Sequence, residues 1–309
     1  PLYTGKAGKA VTLKVEKDLE SAGSGRTKEG EYIEIFEVDP SWVKVRTASG
    51  EEGYLLRKWI HTVEPIDEVA TPPYGVVKHQ YIVQVAKETQ VYMEPTVASD
   101  SYVTLQPGTK LGIIDITDGW GRVIRWRNYA YIDMRDVTNM IPVSHTDRPI
   151  SGETPIAAYT SYYSVSTKES NLGRMWNIAH ACEKISIVLQ PGDIMDMNKV
   201  MGPYNARNGY KEAPVLFEGT TVLGGGGGTC QVSSTFYNVA LQLPGIEILK
   251  RRPHGPGGAS YLPHGVDAAV GNESINLIVQ NNYDFPIRVE ASSQDGALFI
   301  VLWKVELNS

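Results

Sequence analysis

The chain has 309 residues, 42% of them hydrophobic and 21% charged, with 30 glycines, 18 prolines and a net charge of −6. That length supports at least two domains with an ample core, and the balanced composition excludes global disorder. No basic tract marks a nucleic-acid footprint, and no apolar run reaches the roughly 18 residues a bilayer span requires. Two cysteines, Cys182 and Cys230, are too few for a disulfide framework. The chain begins at Pro1 rather than a methionine and reads as a fragment, which leaves room for an export signal or membrane anchor before it.

The first 140 residues carry a weak internal duplication of short alternating strands. One copy runs through Ala10–Val15, Tyr32–Val38, Trp42–Arg46 and Gly53–Leu56, the other through Thr89–Met93, Lys110–Ile116, Trp120–Ile124 and Ala130–Ile132. Apolar alternation bounded by Gly, Asp and Ser clusters is the half-buried strand pattern, and Asp-Gly-Trp feeds one strand into the next. The W-V-K-V strand followed by a G-Y-[LI] strand resembles bacterial SH3-like domains, which implies two small β-barrels over 1–66 and 76–142 that accompany a cell-wall protein. Trp42 and Trp120 are read as core aromatics. The Pro- and acid-rich Val63–Tyr74 marks a linker, and Ile141–Pro155 a second boundary.

Beyond residue 155 the periodicity changes. Leu172, Met175, Ile178, Ala179, Cys182 and Ile185 recur at three and four, predicting a helix from Lys168 to Ile185 with Cys182 on its buried face. Gln190–Asp193 reads as a turn and Val215–Phe217 as a strand. Ser274–Val279, Phe285–Glu290 and Ala297–Val301 read as further strands, so a mainly antiparallel sheet is expected with helices against it.

Gly224–Gly228 is an unbroken glycine run that leads into Thr229, Cys230 and a segment with Val232, Phe236, Val239, Ala240 and Leu243 at helical spacing, ended by Pro244-Gly245. A helix is predicted to start at Thr229 or Cys230. No Lys-Ser or Lys-Thr follows the glycines, so a Walker-type phosphate loop is excluded. A thiol at a helix start has its thiolate favoured, and neighbouring N–H groups can receive an oxyanion, so Cys230 is the candidate nucleophile and Gly228, Thr229, Gln231 and Ser233 the candidate oxyanion or substrate-binding positions. The alternative is a glycine linker beside an incidental thiol. Loop histidines His254 and His264 are the candidate bases, with Asp267 to orient whichever acts. Arg174, Arg251 and Arg252 are candidates for a substrate carboxylate. The 24- and 10-residue spacings among Cys230, His254 and His264 match no compact zinc signature, and no metal or cofactor is expected. His61, His79, His145 and His180 receive no role.

Six ordered blocks resemble the VanW-type domain: R-M-W-N-I (Arg174–Ile178), Q-P-G-D-I-M-D-M-N-K-V-M-G-P (Gln190–Pro203), G-Y-K-E-A-P-V (Gly209–Val215), G-G-G-T-C-Q-V-S-S-T-F-Y-N (Gly226–Asn238), R-R-P-H (Arg251–His254) and Y-L-P-H-G-V-D-A-A-V (Tyr261–Val270). The resemblance implies an L,D-transpeptidase-like activity in which Cys230 attacks a peptidoglycan tetrapeptide stem, with His254 at the family's histidine and His264 at a position that is usually another residue. The expected whole is an α+β chain: two SH3-like barrels, then a catalytic domain over 150–309 whose helix starts at the Gly-rich cysteine motif. It is expected to act outside the cell, at the wall or from a membrane anchor, as a monomer whose partners are stem peptides and not nucleic acid. A cysteine peptidase and a non-catalytic wall-binding module are the competing readings.

Overall fold

A computed structural model describes every residue except 2, 39–41, 57–58, 67–76, 127, 218–219, 255–258, 264 and 307–309. Most of the expected linker and all of His264 therefore lie outside the described residues. The chain divides into two compact units: Pro1–Val77 with Trp126–Asn128 and Pro253–Asp267, and Lys78–Arg125 with Tyr129–Arg252 and Ala268–Ser309.

The first unit is built on seven antiparallel strands: β1 (Tyr3–Ala7), β2 (Thr12–Lys14), β3 (Gly23–Arg26), β4 (Tyr32–Val38), β5 (Trp42–Thr47), β6 (Glu52–Leu56) and β7 (Ile60–Pro65). Their order is β3-β2-β6-β5-β4-β1-β7. Alternation decides the faces: Ile33 and Ile35, Val43 and Val45, and Leu55 turn inward with Leu13 and Tyr3, while Arg46 on the outer face bridges Glu34 and Glu52. The expected closed SH3-like barrel is not confirmed, because the order ends on β3 and β7 without joining them. Physically, β3 reads Gly-Ser-Gly-Arg and brings no apolar side chain with which to seal a barrel wall.

The second unit opens with β8 (Tyr81–Val85), β9 (Thr89–Tyr92), β10 (Ser101–Leu105), β11 (Lys110–Ile113), β12 (Asp115–Thr117), β13 (Trp120–Arg125), β14 (Asn128–Asp133) and β15 (Val137–Pro142). These split into a five-stranded sheet, β10-β9-β14-β13-β12, and a three-stranded one, β11-β8-β15, so the second barrel is not confirmed either. The core explains the split. Val83, Val91, Leu111, Val123 and Ile132 pack with Tyr162 and Ala297 from much later in the chain, and Ile82 and Val143 pack with Ala158, Phe299 and Val301.

Those later residues belong to an antiparallel sheet of order β16-β24-β23-β17, comprising β16 (Thr154–Tyr162), β17 (Val188–Leu189), β23 (Ile287–Gln294) and β24 (Ala297–Lys304). β16 and β24 are buried on consecutive residues rather than alternate ones, as a sheet covered on both faces requires. Beyond the β8–β15 strands, α1 (Glu169–Ile185) packs on β23 and α3 (Thr229–Ala240) on β16 and β24. Between them in the chain lie β18 (Ile194–Asp196), α2 (Met197–Met201) and the hairpin of β19 (Glu212–Phe217) and β20 (Thr220–Gly225); β21 (Ile246–Lys250) and β22 (Ile278–Asn281) follow α3 and pair with β18 in the order β18-β22-β21. The architecture is thus mostly antiparallel sheet with few helices, α+β in character. The strand expected from Ser274 begins only at Ile278, because Asn272 Oδ1 accepts from the Ser274 and Ile275 N–H groups and turns the chain first.

Asn281 ties this arrangement together. It is fully buried, its Nδ2 donates to the carbonyls of Leu189, Gln190 and Phe285 at 3.1, 3.2 and 3.1 Å, and its Oδ1 accepts from the Tyr283 N–H. Asn281→Ala strands all of these groups, and urea denaturation should show a loss of roughly 2–4 kcal/mol.

Candidate active site

Helix α3 begins where it does because the glycine run cannot be anything but glycine. Gly224 and Gly225 complete β20 rather than opening a bend, which corrects the expected loop by two residues. Gly228 then caps the helix at φ 110°, a left-handed conformation, and a Cβ there would lie 2.9 Å from Ile178 Cγ1 and 3.1 Å from the Arg174 carbonyl. At Gly227 the added carbon would sit 2.5 Å from the Pro214 carbonyl. The close approach that the glycines permit is therefore to α1 and β19. Asn177 Nδ2 locks it by donating to the carbonyls of Gly227 and Lys211.

The first turn of α3 sorts its side chains by function. The Thr229 N–H and hydroxyl both donate to the Gly226 carbonyl, and the Gln231 N–H donates to Gly228. Thr229 and Gln231 backbone donors are thus engaged inside the turn, a correction to their expected oxyanion role. Gln231, Ser233, Ser234 and Thr235 are fully buried. Gln231 Nε2 donates to Ser161 Oγ and the Tyr162 carbonyl, and its Oε1 accepts from Arg174 Nη2 at 2.5 Å. Gln231 and Arg174 accordingly anchor the helix to β16 and α1, and Ser233 is sealed in the interior rather than offering a substrate surface.

Cys230 differs from these neighbours because it is only half-buried. Its Sγ lies 3.4 Å from both the N–H and the carbonyl of Val270. One turn later Ser234 Oγ accepts from the Ala268 N–H at 2.9 Å and donates to its carbonyl at 3.2 Å. Alternate residues of Ala268–Val270 are thereby clamped to one face of α3, and the Ala269 N–H between them donates to the Arg252 carbonyl. When the thiol ionises, its bond to the Val270 carbonyl, which favours the neutral form, is lost, while the bond from the Val270 N–H and the positive end of the α3 dipole favour thiolate. Cys182 is the opposite case: burial pushes its thiol far above the ordinary range.

Two residues without an assigned role from sequence stand beside this cysteine. Asn198, in α2, accepts at Oδ1 from the Gly271 N–H at 3.0 Å and from the Tyr204 hydroxyl at 2.8 Å. Tyr204 lies against the glycine turn, since a Cβ at Gly226 would fall 2.7 Å from the Tyr204 Cβ. Burial pushes the Tyr204 phenol well above its usual range, and neighbouring Cys230 adds to the shift, so the hydroxyl stays a proton donor. Both residues occur in or next to the Gln190–Pro203 block quoted above. Its Asp-Met-Asn is a helix start, with Asp196 Oδ1 accepting from the Lys199 N–H, and that much could have been read from the sequence.

In the other unit, His254 and Asp267 are brought together. Asp267 Oδ2 lies 2.6 Å from His254 Nδ1 and accepts from the His254 backbone N–H at 2.7 Å, and the carboxylate is almost fully buried. This fixes the ring and turns Nε2 away from the carboxylate, the arrangement of an oriented imidazole. Arg251 is buried, with its guanidinium 4.9 Å above the Tyr237 ring, which corrects its expected exposure to a substrate carboxylate; Arg252 is exposed. Among the histidines given no role, His180 accepts or donates at 2.8 Å with the Asn208 carbonyl and His79 is buried against Tyr159. No cluster of three or more metal-ligating side chains occurs among the described residues.

Comparison with known proteins matches residues 173–303 to the family described as VanW like protein. These residues form a VanW-like domain. The protein named YoaR, described as uncharacterized, from Bacillus subtilis (strain 168) is 33% identical over 153 residues, which cover 49% of this chain and 48% of that protein. The chain thus spans about half the length of this relative. Among solved structures, an NlpC/P60 family protein from Bacillus cereus ATCC 10987 is 13% identical with a TM-score of 0.18, covering 99% of this chain and 95% of that one. NlpC2 from Trichomonas vaginalis is 12% identical, also at 0.18, over 62% and 57%. At those scores neither carries an argument about fold or chemistry. The VanW-like domain holds Cys230, Asn198, Tyr204, His254 and Asp267.

Two outcomes follow for this domain. Gly228→Ala combines a positive φ with a clash against Ile178 and should cost roughly 2–4 kcal/mol in thermal or urea unfolding. Iodoacetamide at pH 7 should modify the folded chain once, at Cys230, and twice in urea, because the raised Cys182 pKa keeps that thiol protonated at every pH below it; peptide mass mapping reads the site.

Proposed function

We propose that the chain is a cell-envelope cysteine acyltransferase that acts on peptidoglycan stem peptides, with Cys230 as nucleophile. The observation that carries this reading is a half-exposed thiol at a helix start that receives a backbone N–H, in a domain whose other cysteine is sealed in the core. The VanW-type resemblance supplies the substrate class.

The chemistry balances as a two-step acyl transfer. The Cys230 thiolate attacks the carbonyl of the amide that joins the third stem residue to the terminal D-alanine. The C–N bond breaks, D-alanine leaves as an amine after taking a proton from a general acid, and a thioester remains on Sγ. An amine of a neighbouring stem then attacks the thioester, gives its proton to a general base, forms the new amide and releases the thiolate. Such work takes place outside the cytoplasmic membrane, where stem peptides are found. The N-terminal strands, with their resemblance to SH3-like modules, serve in this reading to hold the domain near the wall.

Cys230→Ala separates the alternatives when purified muropeptides are followed by mass spectrometry. The wild-type chain should form cross-linked dimers and release D-alanine, and the variant should lose both by about three orders of magnitude or more. D-alanine release without dimers would make the protein a hydrolase. Peptidoglycan binding with neither product, or product formation unchanged in the variant, would overturn the acyltransferase reading.

A further inference from the structure

We propose that Asn198, braced by Tyr204, is a positioning residue for the Cys230 thiolate, holding the Val270–Gly271 backbone so that the Val270 N–H stays aimed at Sγ. The inference rests on the reading that Cys230 is the nucleophile.

Packing alone does not place this backbone. Residues 271–274 are exposed, and a Cβ added at Gly271 would meet nothing within 4 Å. Polar tethers do the holding, and Asn198 supplies them from a single amide. Its Oδ1 accepts from the Gly271 N–H at 3.0 Å, and its Nδ2 donates to the carbonyls of Asn272 at 2.6 Å and Ile275 at 3.0 Å. With the Tyr204 hydroxyl on the second Oδ1 lone pair, both acceptor sites and both donors of the amide are used. Only an amide can do this: a carboxylate of the same shape would set an acceptor against two carbonyls.

Tyr204 joins the two sides of the sulfur's surroundings. Its backbone carbonyl and Cβ abut Gly225 and Gly226, in the turn that launches α3 and carries Cys230. Its hydroxyl reaches Asn198, which holds the Val270–Gly271 segment opposite Sγ. The titratable and charged side chains packed around the start of α3 in this unit include Tyr204, from the segment after α2, and Arg174, from α1, and Arg174 is already bonded to Gln231. Asn198 is in turn seated by its own N–H, which donates to Asn276 Oδ1, and Asn276 Nδ2 donates to Asp196.

The test is the pH profile of Cys230 alkylation by iodoacetamide in a Cys182→Ser background, a measurement that needs no peptidoglycan and so stands apart from the cross-linking assay. Asn198→Ala should move the profile alkaline by about one pH unit, seen as roughly tenfold slower alkylation on its acid limb. Tyr204→Phe removes one hydroxyl, should fold normally, and should move the profile the same way by about threefold. Asn281→Ala is the control: it breaks buried bonds to Leu189, Gln190 and Phe285 without touching Asn198 or Gly271, so its melting temperature should fall and its profile stay in place. If Tyr204→Phe and Asn198→Ala leave the profile unmoved, or Asn281→Ala moves it equally, Asn198 is merely structural and the proposal fails.

Discussion

The left-handed turn at Gly228 is the constraint from which the rest of the VanW-like domain follows. It admits no side chain, because Ile178 and the Arg174 carbonyl fill the space where a Cβ would go. That contact fixes where α3 begins relative to α1, hence which residue occupies the second helical position, and hence that a cysteine faces Val270 instead of the core. A shift of one residue would rotate the thiol by about 100° around the helix, into the buried polar row that Gln231, Ser234 and Thr235 now occupy.

The sheet beneath gives this turn its rigidity. β16 and β24 are covered by α3 and by strands of the β8–β15 group, and their neighbour β23 by α1. Polar residues at the helix–sheet contact are satisfied in sets: Ser161 bonds both Thr235 and Gln231, and Gln242 reaches the Ala158 carbonyl and the His79 N–H. Buried groups paired in this way specify one docking of the helix, since any other leaves donors unmet at a cost of about 1–3 kcal/mol each. The nucleophile proposed at Cys230 would need such support, because its pKa depends on donors held within tenths of an ångström.

Local sequence patterns were legible where local physics decides the outcome. The three–four periodicity ending at Ile185 marks α1 to within a residue, and its apolar face correctly buries Cys182. The glycine run into Thr229 marks the start of α3. What escaped depends on partners far along the chain. Tyr162 and Ala297 complete the core of the second strand group, so its alternation, which looks like a self-contained barrel, continues into another sheet. Arg251, offered by the sequence as a candidate for a substrate carboxylate, stacks on Tyr237 inside. Asn198 looks like any helix-start asparagine, and only the fold brings Gly271, 73 residues away, onto its amide.

The role proposed for Cys230 requires its sulfur to be held as an anion near neutral pH by the helix start and the Val270 N–H. Thiolate ultraviolet absorbance of the native chain, titrated with acid and base and corrected with the Cys230→Ala chain, measures this directly. A midpoint well below the roughly 8.5 of a free cysteine is predicted. A midpoint at or above that value would contradict the account.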